Sequence, residues 1–179
     1  AVAEETGEEY KGILYGQFMK TKNGPKLVEF NIRFGDPEAM NVLPIMKDNF
    51  VEICQEIIAG NLRDSIEFEK KATVVKYCVP EGYPVEPKSD VEVEIDEDAL
   101  RKIGARVYYA SVYRKDGKIF TTTSRAIALV GIADSLEEAE KIAEKGTNMV
   151  KGDLFHRKDV GTMELLNERK KHMENVLSE

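Results

Sequence analysis

Glu29, Asn31 and Arg33 carry the strongest chemical signal in the chain, because hydrophobic burial gives no reason to place an acid, an amide and a guanidinium at alternate positions. They lie in Val28-Glu29-Phe30-Asn31-Ile32-Arg33-Phe34-Gly35, whose side chains alternate faces as in a β-strand. Val28, Phe30, Ile32 and Phe34 then make one apolar stripe, expected to face a core. The three polar groups share the other face, with neighbours roughly 6.5–7 Å apart. A carboxylate and an amide carbonyl are hard oxygen ligands of the kind Mg²⁺ takes when phosphate oxygens complete its shell. An arginine one step further along can clamp phosphate or carboxylate through two parallel hydrogen bonds. The same alternation also describes a strand with one solvated face, on which Glu29 and Arg33 form an exposed pair.

The strand runs into the turn Gly35-Asp36-Pro37, so its polar face ends at a loop that a ligand can reach. The run Glu29-Phe30-Asn31-Ile32-Arg33-Phe34-Gly35-Asp36-Pro37-Glu38 closely resembles the metal-binding strand of the phosphoribosylamine–glycine ligase family, or glycinamide ribonucleotide synthetases, within the ATP-grasp superfamily. An acid-x-Asn strand points only to the superfamily. The Arg-Phe-Gly-Asp-Pro-Glu continuation narrows the resemblance to this family. Tyr10-Lys11-Gly12-Ile13-Leu14-Tyr15-Gly16 and Lys22-Asn23-Gly24-Pro25-Lys26 resemble the family's preceding hairpin. Pro80-Glu81-Gly82-Tyr83-Pro84 and Phe155-His156-Arg157-Lys158-Asp159-Val160-Gly161 resemble later landmarks.

The resemblance implies a reaction dependent on ATP and on Mg²⁺ or Mn²⁺, which joins glycine to 5-phosphoribosylamine through a glycyl phosphate. The products are glycinamide ribonucleotide, ADP and phosphate, in de novo purine synthesis. It implies Glu29 and Asn31 as metal ligands and Arg33 and Asp36 as catalytic groups, Arg33 steadying the transferring phosphate. Asp36, Pro37, Glu38 and Arg125 are the implied substrate contacts. The residues themselves leave other roles open. Arg33 can orient Glu29 through a salt bridge, Asp36 can shape the turn, and Glu38 can charge a helix N-terminus. Two places depart from the family pattern. Thr121-Thr122-Thr123-Ser124-Arg125 stands where Thr-x-Gly-Gly-Arg is common, which leaves less room for a ligand at the backbone. Lys88-Ser89 stands near where Lys-Gly follows the Gly-Tyr-Pro loop.

With 179 residues, 42% hydrophobic and 33% charged, the chain can build one sizeable core or two small ones. A net charge of −7 and a pI near 5.1 argue against a nucleic-acid partner, which needs a basic face. The longest apolar run, 126–133, is too short to span a bilayer, so no membrane partner is expected. Cys54 and Cys78 read as core thiols of a reducing compartment. His156 and His172 stand apart, as surface or packing histidines. No leader-like segment is read, and the cytoplasm is the expected location. The 13 glycines are scattered, with no Gly-rich nucleotide lid. On the resemblance, the chain is expected to be the C-terminal part of a longer enzyme, inactive alone, with the missing N-terminal half as its partner.

Several elements must hold these residues. A hairpin about Asn23-Gly24 joins strands at 13–19 and 26–34. Residues 38–46 have helical spacing shortened by Pro44, and Phe50, Ile53, Cys54, Ile57 and Ile58 form a helical stripe stopped by Gly60. Polar residues 61–71 cross into a second lobe. There, strands are expected at 72–79, 91–95, 106–114, 118–122 and 126–133, with a loop at 80–89 and a short acidic helix at 96–102. Ser135-Leu136-Glu137-Glu138 is a capping box opening a helix whose stripe is Leu136, Ala139, Ile142, Ala143 and Met149. A polar helix follows at 163–176. The expected fold class is α+β, largely antiparallel: the C-terminal half of an ATP-grasp domain in residues 1–62, then a small mixed α/β lobe in 63–179. Two other functions fit these elements: an ATP-grasp ligase for another carboxylate, and a non-catalytic ATP-grasp-like interaction domain.

Overall fold

Contacts in the computed structural model, which describes residues 2–178, group the chain into two compact units. Residues 2–69 and 172–178 form the first and 70–171 the second. The first unit runs past the expected boundary at 62/63 because its last segment is tied back. Arg63 bonds Asp48 at 2.9 Å, the Lys47 and Glu69 amides donate to the carbonyls of Glu67 and Ile45 at 3.0 and 2.8 Å, and Phe68 bridges Met46.

In the first unit a short helix, Val2–Thr6 (α1), precedes strands Tyr15–Thr21 (β1) and Gly24–Asn31 (β2), an antiparallel pair joined by Lys22-Asn23. The Thr21 hydroxyl donates to the Gly24 carbonyl at 2.8 Å and accepts from the Asn23 amide at 3.2 Å, closing the turn. The register slips at Gln17/Phe18 and passes over Val28, a β-bulge. The strand stops at Asn31 and the chain bends at Ile32-Arg33, so Arg33 lies beyond the strand that was expected to carry it. The apolar stripe is also not a core: Val28, Phe30 and Ile32 are 54%, 55% and 77% exposed. A two-stranded hairpin has no second layer of its own to cover that face. Phe34 does turn inward, its ring 5.9 Å from that of Phe50.

Helix Glu38–Val42 (α2) tightens into a 3-10 turn, Leu43–Ile45, where Pro44 cannot donate the next helical bond. Helix Phe50–Ala59 (α3) starts at Asn49, whose side chain accepts from the Val51 amide at 2.9 Å, and stops at Gly60, left-handed at φ 73°. Ile53 is the buried anchor of its apolar stripe, while Ile58 is 73% exposed.

The second unit contains strands Ala72–Pro80 (β3) and Glu92–Ile95 (β4), helix Glu97–Lys102 (α4), strands Arg106–Tyr109 (β5), Val112–Lys115 (β6), Lys118–Thr121 (β7) and Ile127–Ala133 (β8), and helix Leu136–Thr147 (α5). Strands Val150–Lys151 (β9) and Leu154–Phe155 (β10) and helix Met163–Ser178 (α6) complete the chain, with α6 divided between the units at 171/172. Two four-stranded sheets form, in the orders β10-β3-β8-β5 and β6-β7-β4-β9, with every pairing antiparallel. The single strand expected at 106–114 is therefore two. At Ala110-Ser111 the amides donate to Ala126 and Arg125 at 2.9 Å each, and the chain then leaves β8 for β7.

Strand β8 is buried throughout its first five residues, which explains why its sequence is a continuous apolar run and not an alternation. Helix α5 covers one face of the sheet so closely that a Cβ at Gly131 would collide with the Ala139 carbonyl. The Ser135 hydroxyl accepts from the Glu138 amide at 3.2 Å, the N-cap bond of the expected box, and itself donates to the Glu138 carboxylate at 3.0 Å. Ser135→Ala is expected to cost about 1 kcal/mol, read as a shift of the urea midpoint at unchanged slope.

Candidate active site

The hairpin delivers Glu29 and Asn31 to its open end, side by side. The Asn31 amide donates from Nδ2 to Glu29 Oε1 at 3.0 Å. Turning the amide over would present its oxygen in the same place, since the two ends of an amide are placed by hydrogen bonding alone. Glu29 is exposed and Asn31 half-buried. Past the bend, Arg33 donates from Nη1 to the Phe34 carbonyl at 2.7 Å and is exposed. Asp36 and Pro37 form the turn before α2, Asp36 exposed and Pro37 half-buried. Glu38, the first residue of α2, folds back so that Oε1 accepts from the Tyr15 hydroxyl at 3.1 Å.

Tyr15 shows how these charges share one place. Its phenol is held above the usual tyrosine range, first by the hydrogen bond to Glu38, then by burial and by the charges of Glu38 and Glu29, with Arg33 opposing. Tyr15 is the Cα partner of Asn31 across the hairpin. Tyr15 lies in the hairpin that resembles the family's, and nothing in the local sequence marks it for a role. Pairing outward from the turn without a slip puts it opposite Phe30, and only the bulge at Val28 brings it opposite Asn31. Among the described residues, no three His, Cys, Asp or Glu side chains converge where they could hold a metal ion.

Arg125 belongs to the second unit, in the segment between β7 and β8, with its guanidinium carbon 4.9 Å from the centroid of the Tyr77 ring. The hydroxyls before it are tied to one another. Ser111 Oγ and Thr122 Oγ1 lie 2.6 Å apart, Thr122 donates to the Ser111 carbonyl at 3.1 Å, and the Ser124 amide donates to Thr122 Oγ1 at 3.3 Å. Thr123 and Ser124, in place of the expected glycines, are exposed.

A second polar cluster escaped the sequence reading. The Lys76 side chain on β3 has no solvent exposure. Its ammonium donates to Glu140 at 2.6 Å, Glu144 at 2.6 Å and the Lys158 carbonyl at 2.8 Å, which uses all three of its hydrogens. His156 Nε2 lies 3.1 Å from both Glu144 oxygens, a packing histidine with a partner. Burial pushes Glu144 up, yet the hydrogen bonds from Lys76 and His156 prevail and hold it below the usual carboxylate range. Cys54 and Cys78 are free thiols. Cys78 is pushed up to about 12, by burial first and then by the charge of Glu144, which leaves it unreactive.

Comparison with known proteins decides the lineage. The family described as "Phosphoribosylglycinamide synthetase, C domain" matches residues 73–163, and "Phosphoribosylglycinamide synthetase, ATP-grasp (A) domain" matches 2–39. The chain belongs to the phosphoribosylglycinamide synthetase family. A phosphoribosylamine–glycine ligase of Methanocaldococcus jannaschii is 52% identical over 98% of this chain and 40% of its own length. That of Thermococcus kodakarensis is 58% identical over 92% of this chain and 37% of its own length. The crystal structure of phosphoribosylamine–glycine ligase from Thermotoga maritima aligns with a TM-score of 0.74 at 28% identity, covering 88% of this chain and 39% of that one. The chain thus spans about two fifths of the length of the curated family members it matches. The α+β architecture with antiparallel sheets, expected for the C-terminal portion of such an enzyme, is the one observed.

Proposed function

We propose that the chain works as the C-terminal part of a phosphoribosylamine–glycine ligase, joining glycine to 5-phosphoribosylamine with ATP to give glycinamide ribonucleotide, ADP and phosphate in purine synthesis. The observation that carries this reading is the Glu29–Asn31 pair, 3.0 Å apart at the open end of β2 in a chain of this family. A carboxylate beside an amide is a hard-oxygen donor set that suits Mg²⁺ or Mn²⁺. Two protein ligands would leave the rest of the shell to phosphate oxygens and water. A cation held there by Glu29 and Asn31 would neutralise phosphate charge.

The chain's own residues would supply the remaining electrostatics. Joining glycine requires its carboxylate to approach the anionic γ-phosphate, and Arg33, exposed just beyond the strand, would meet that charge. Asp36, Pro37 and Glu38 line the adjoining turn as contacts for the amine substrate. Arg125, steadied on Tyr77, is the candidate phosphate contact of the second unit. The exposed stripe Val28, Phe30 and Ile32 suits cover by the N-terminal portion that completes family members. The proposed setting is the cytoplasm, with these small molecules and the remaining portion as partners. No helix among the described residues is long and apolar enough to cross a membrane.

The test is to join this chain to the preceding residues of the M. jannaschii family member and measure ADP release. Release that requires both glycine and 5-phosphoribosylamine is the expected result. Release driven by a different carboxylate would instead assign another ATP-grasp ligase. Failure to bind Mg²⁺–ATP would favour an interaction domain.

A further inference from the structure

Glu38 is not placed by its own helix. Helix α2 starts at Pro37 with no side-chain cap, and the Glu38 carboxylate lies back across Gly35, where a Cβ would collide with it and come within 3.0 Å of the Tyr15 ring. Gly35 is buried beneath these two groups. The Tyr15 hydroxyl is the donor that holds Glu38 there, at 3.1 Å, and Tyr15 is itself fixed opposite Asn31 by the hairpin register. One aromatic side chain therefore links the strand end bearing Glu29 and Asn31 to the turn bearing Asp36 and Glu38.

We infer that Tyr15 is a positioning residue for substrate binding, whose phenol holds the Glu38 carboxylate over Gly35 and aims its free oxygen as an acceptor for the amine and hydroxyl groups of the ribosylamine substrate. This rests on the proposed reading of Glu38 as a substrate contact. A carboxylate with one oxygen committed to a phenol is pre-set in direction, which lowers the ordering cost of binding. Its other oxygen, Oε2, rests on Gly35 with one side, and a carboxylate oxygen has a second lone-pair direction for a donor.

The experiment uses the full-length fusion described above, with binding of glycinamide ribonucleotide measured by calorimetry beside steady-state kinetics. Tyr15→Phe is expected to weaken that ligand and raise KM for 5-phosphoribosylamine roughly tenfold, with kcat and the KM for ATP little changed. Glu38→Gln is expected to cost more, and the double variant no more than Glu38→Gln alone, because Tyr15 acts through Glu38. Additive losses, an equal fall in kcat, or no change in Tyr15→Phe overturn the inference. If Tyr15→Phe does not fold, Gly35→Ala displaces the same carboxylate from the other side. It should raise the same KM, and an unchanged KM there overturns the inference. A parent fusion that neither binds glycinamide ribonucleotide nor turns over removes the proposed function itself, a result distinct from failure of the Tyr15 assignment.

Discussion

Lys76→Met is expected to destabilise the chain by about 3–5 kcal/mol at neutral pH, because it leaves Glu140 and Glu144 facing a place from which their shared cation has gone. Losing the ammonium also frees the Lys158 carbonyl, so β3, α5 and the segment after β10 are no longer pinned together. The effect has a defined pH dependence. In the parent, Glu144 is held below its ordinary value, so its contribution is present above the unfolded carboxylate range and is lost as pH falls through the folded value. In the variant, burial acts on Glu144 without Lys76 to oppose it, and the carboxyl takes up a proton more readily. The penalty should therefore shrink as pH falls from 7 toward 4. Urea midpoints of parent and variant across that range are the measurement. A penalty below about 1 kcal/mol, or one that grows in acid, would show that the cluster does not hold the unit together. Adding Glu140→Gln and Glu144→Gln to Lys76→Met should recover much of the loss, since the half-buried, unpaired carboxylates are then gone.

The largest expected functional effect is at Glu29. In the full-length fusion, Glu29→Gln is expected to lower kcat/KM by about 10²–10³, the usual scale for one preorganised electrostatic partner. The melting temperature should stay near that of the parent, because Glu29 is exposed and its hydrogen-bond partner is Asn31, which a glutamine oxygen can still accept from. Raising Mg²⁺ or Mn²⁺ should restore part of the activity if the substitution weakens the cation and leaves the reacting groups in place. Full activity at ordinary Mg²⁺ would remove Glu29 from the proposed ligand pair.

Most of the second unit could be read from the chain because its elements are specified locally. The Ser135 hydroxyl accepts from the Glu138 amide, the N-cap bond its spacing implies, and the continuous apolar run of β8 is a strand buried on both faces. The break at Ala110-Ser111 could not be read that way. Its cause is the pairing of β5 with β8 and of β6 with β7, a choice between distant partners that leaves no mark in local alternation. Lys76 did leave a mark, as a lone cation in an apolar strand, matched by Glu140 and Glu144 one turn apart on α5. Only their juxtaposition shows that the three form one cluster.

The residue types at the candidate site, and the family to which they point, were determined by the order of residues alone: Glu29, Asn31 and the Arg-Phe-Gly-Asp-Pro-Glu continuation need no coordinates to be recognised. The tertiary structure decided where the strand ends, which side chains meet and which apolar face is left bare. Alternation predicts two faces but not whether another layer exists to cover one of them, and so Val28, Phe30 and Ile32 read as core yet stand exposed. Tyr15 and Glu38 lie 23 positions apart, and only the hairpin register and the turn at Gly35 bring their side chains within hydrogen-bond reach.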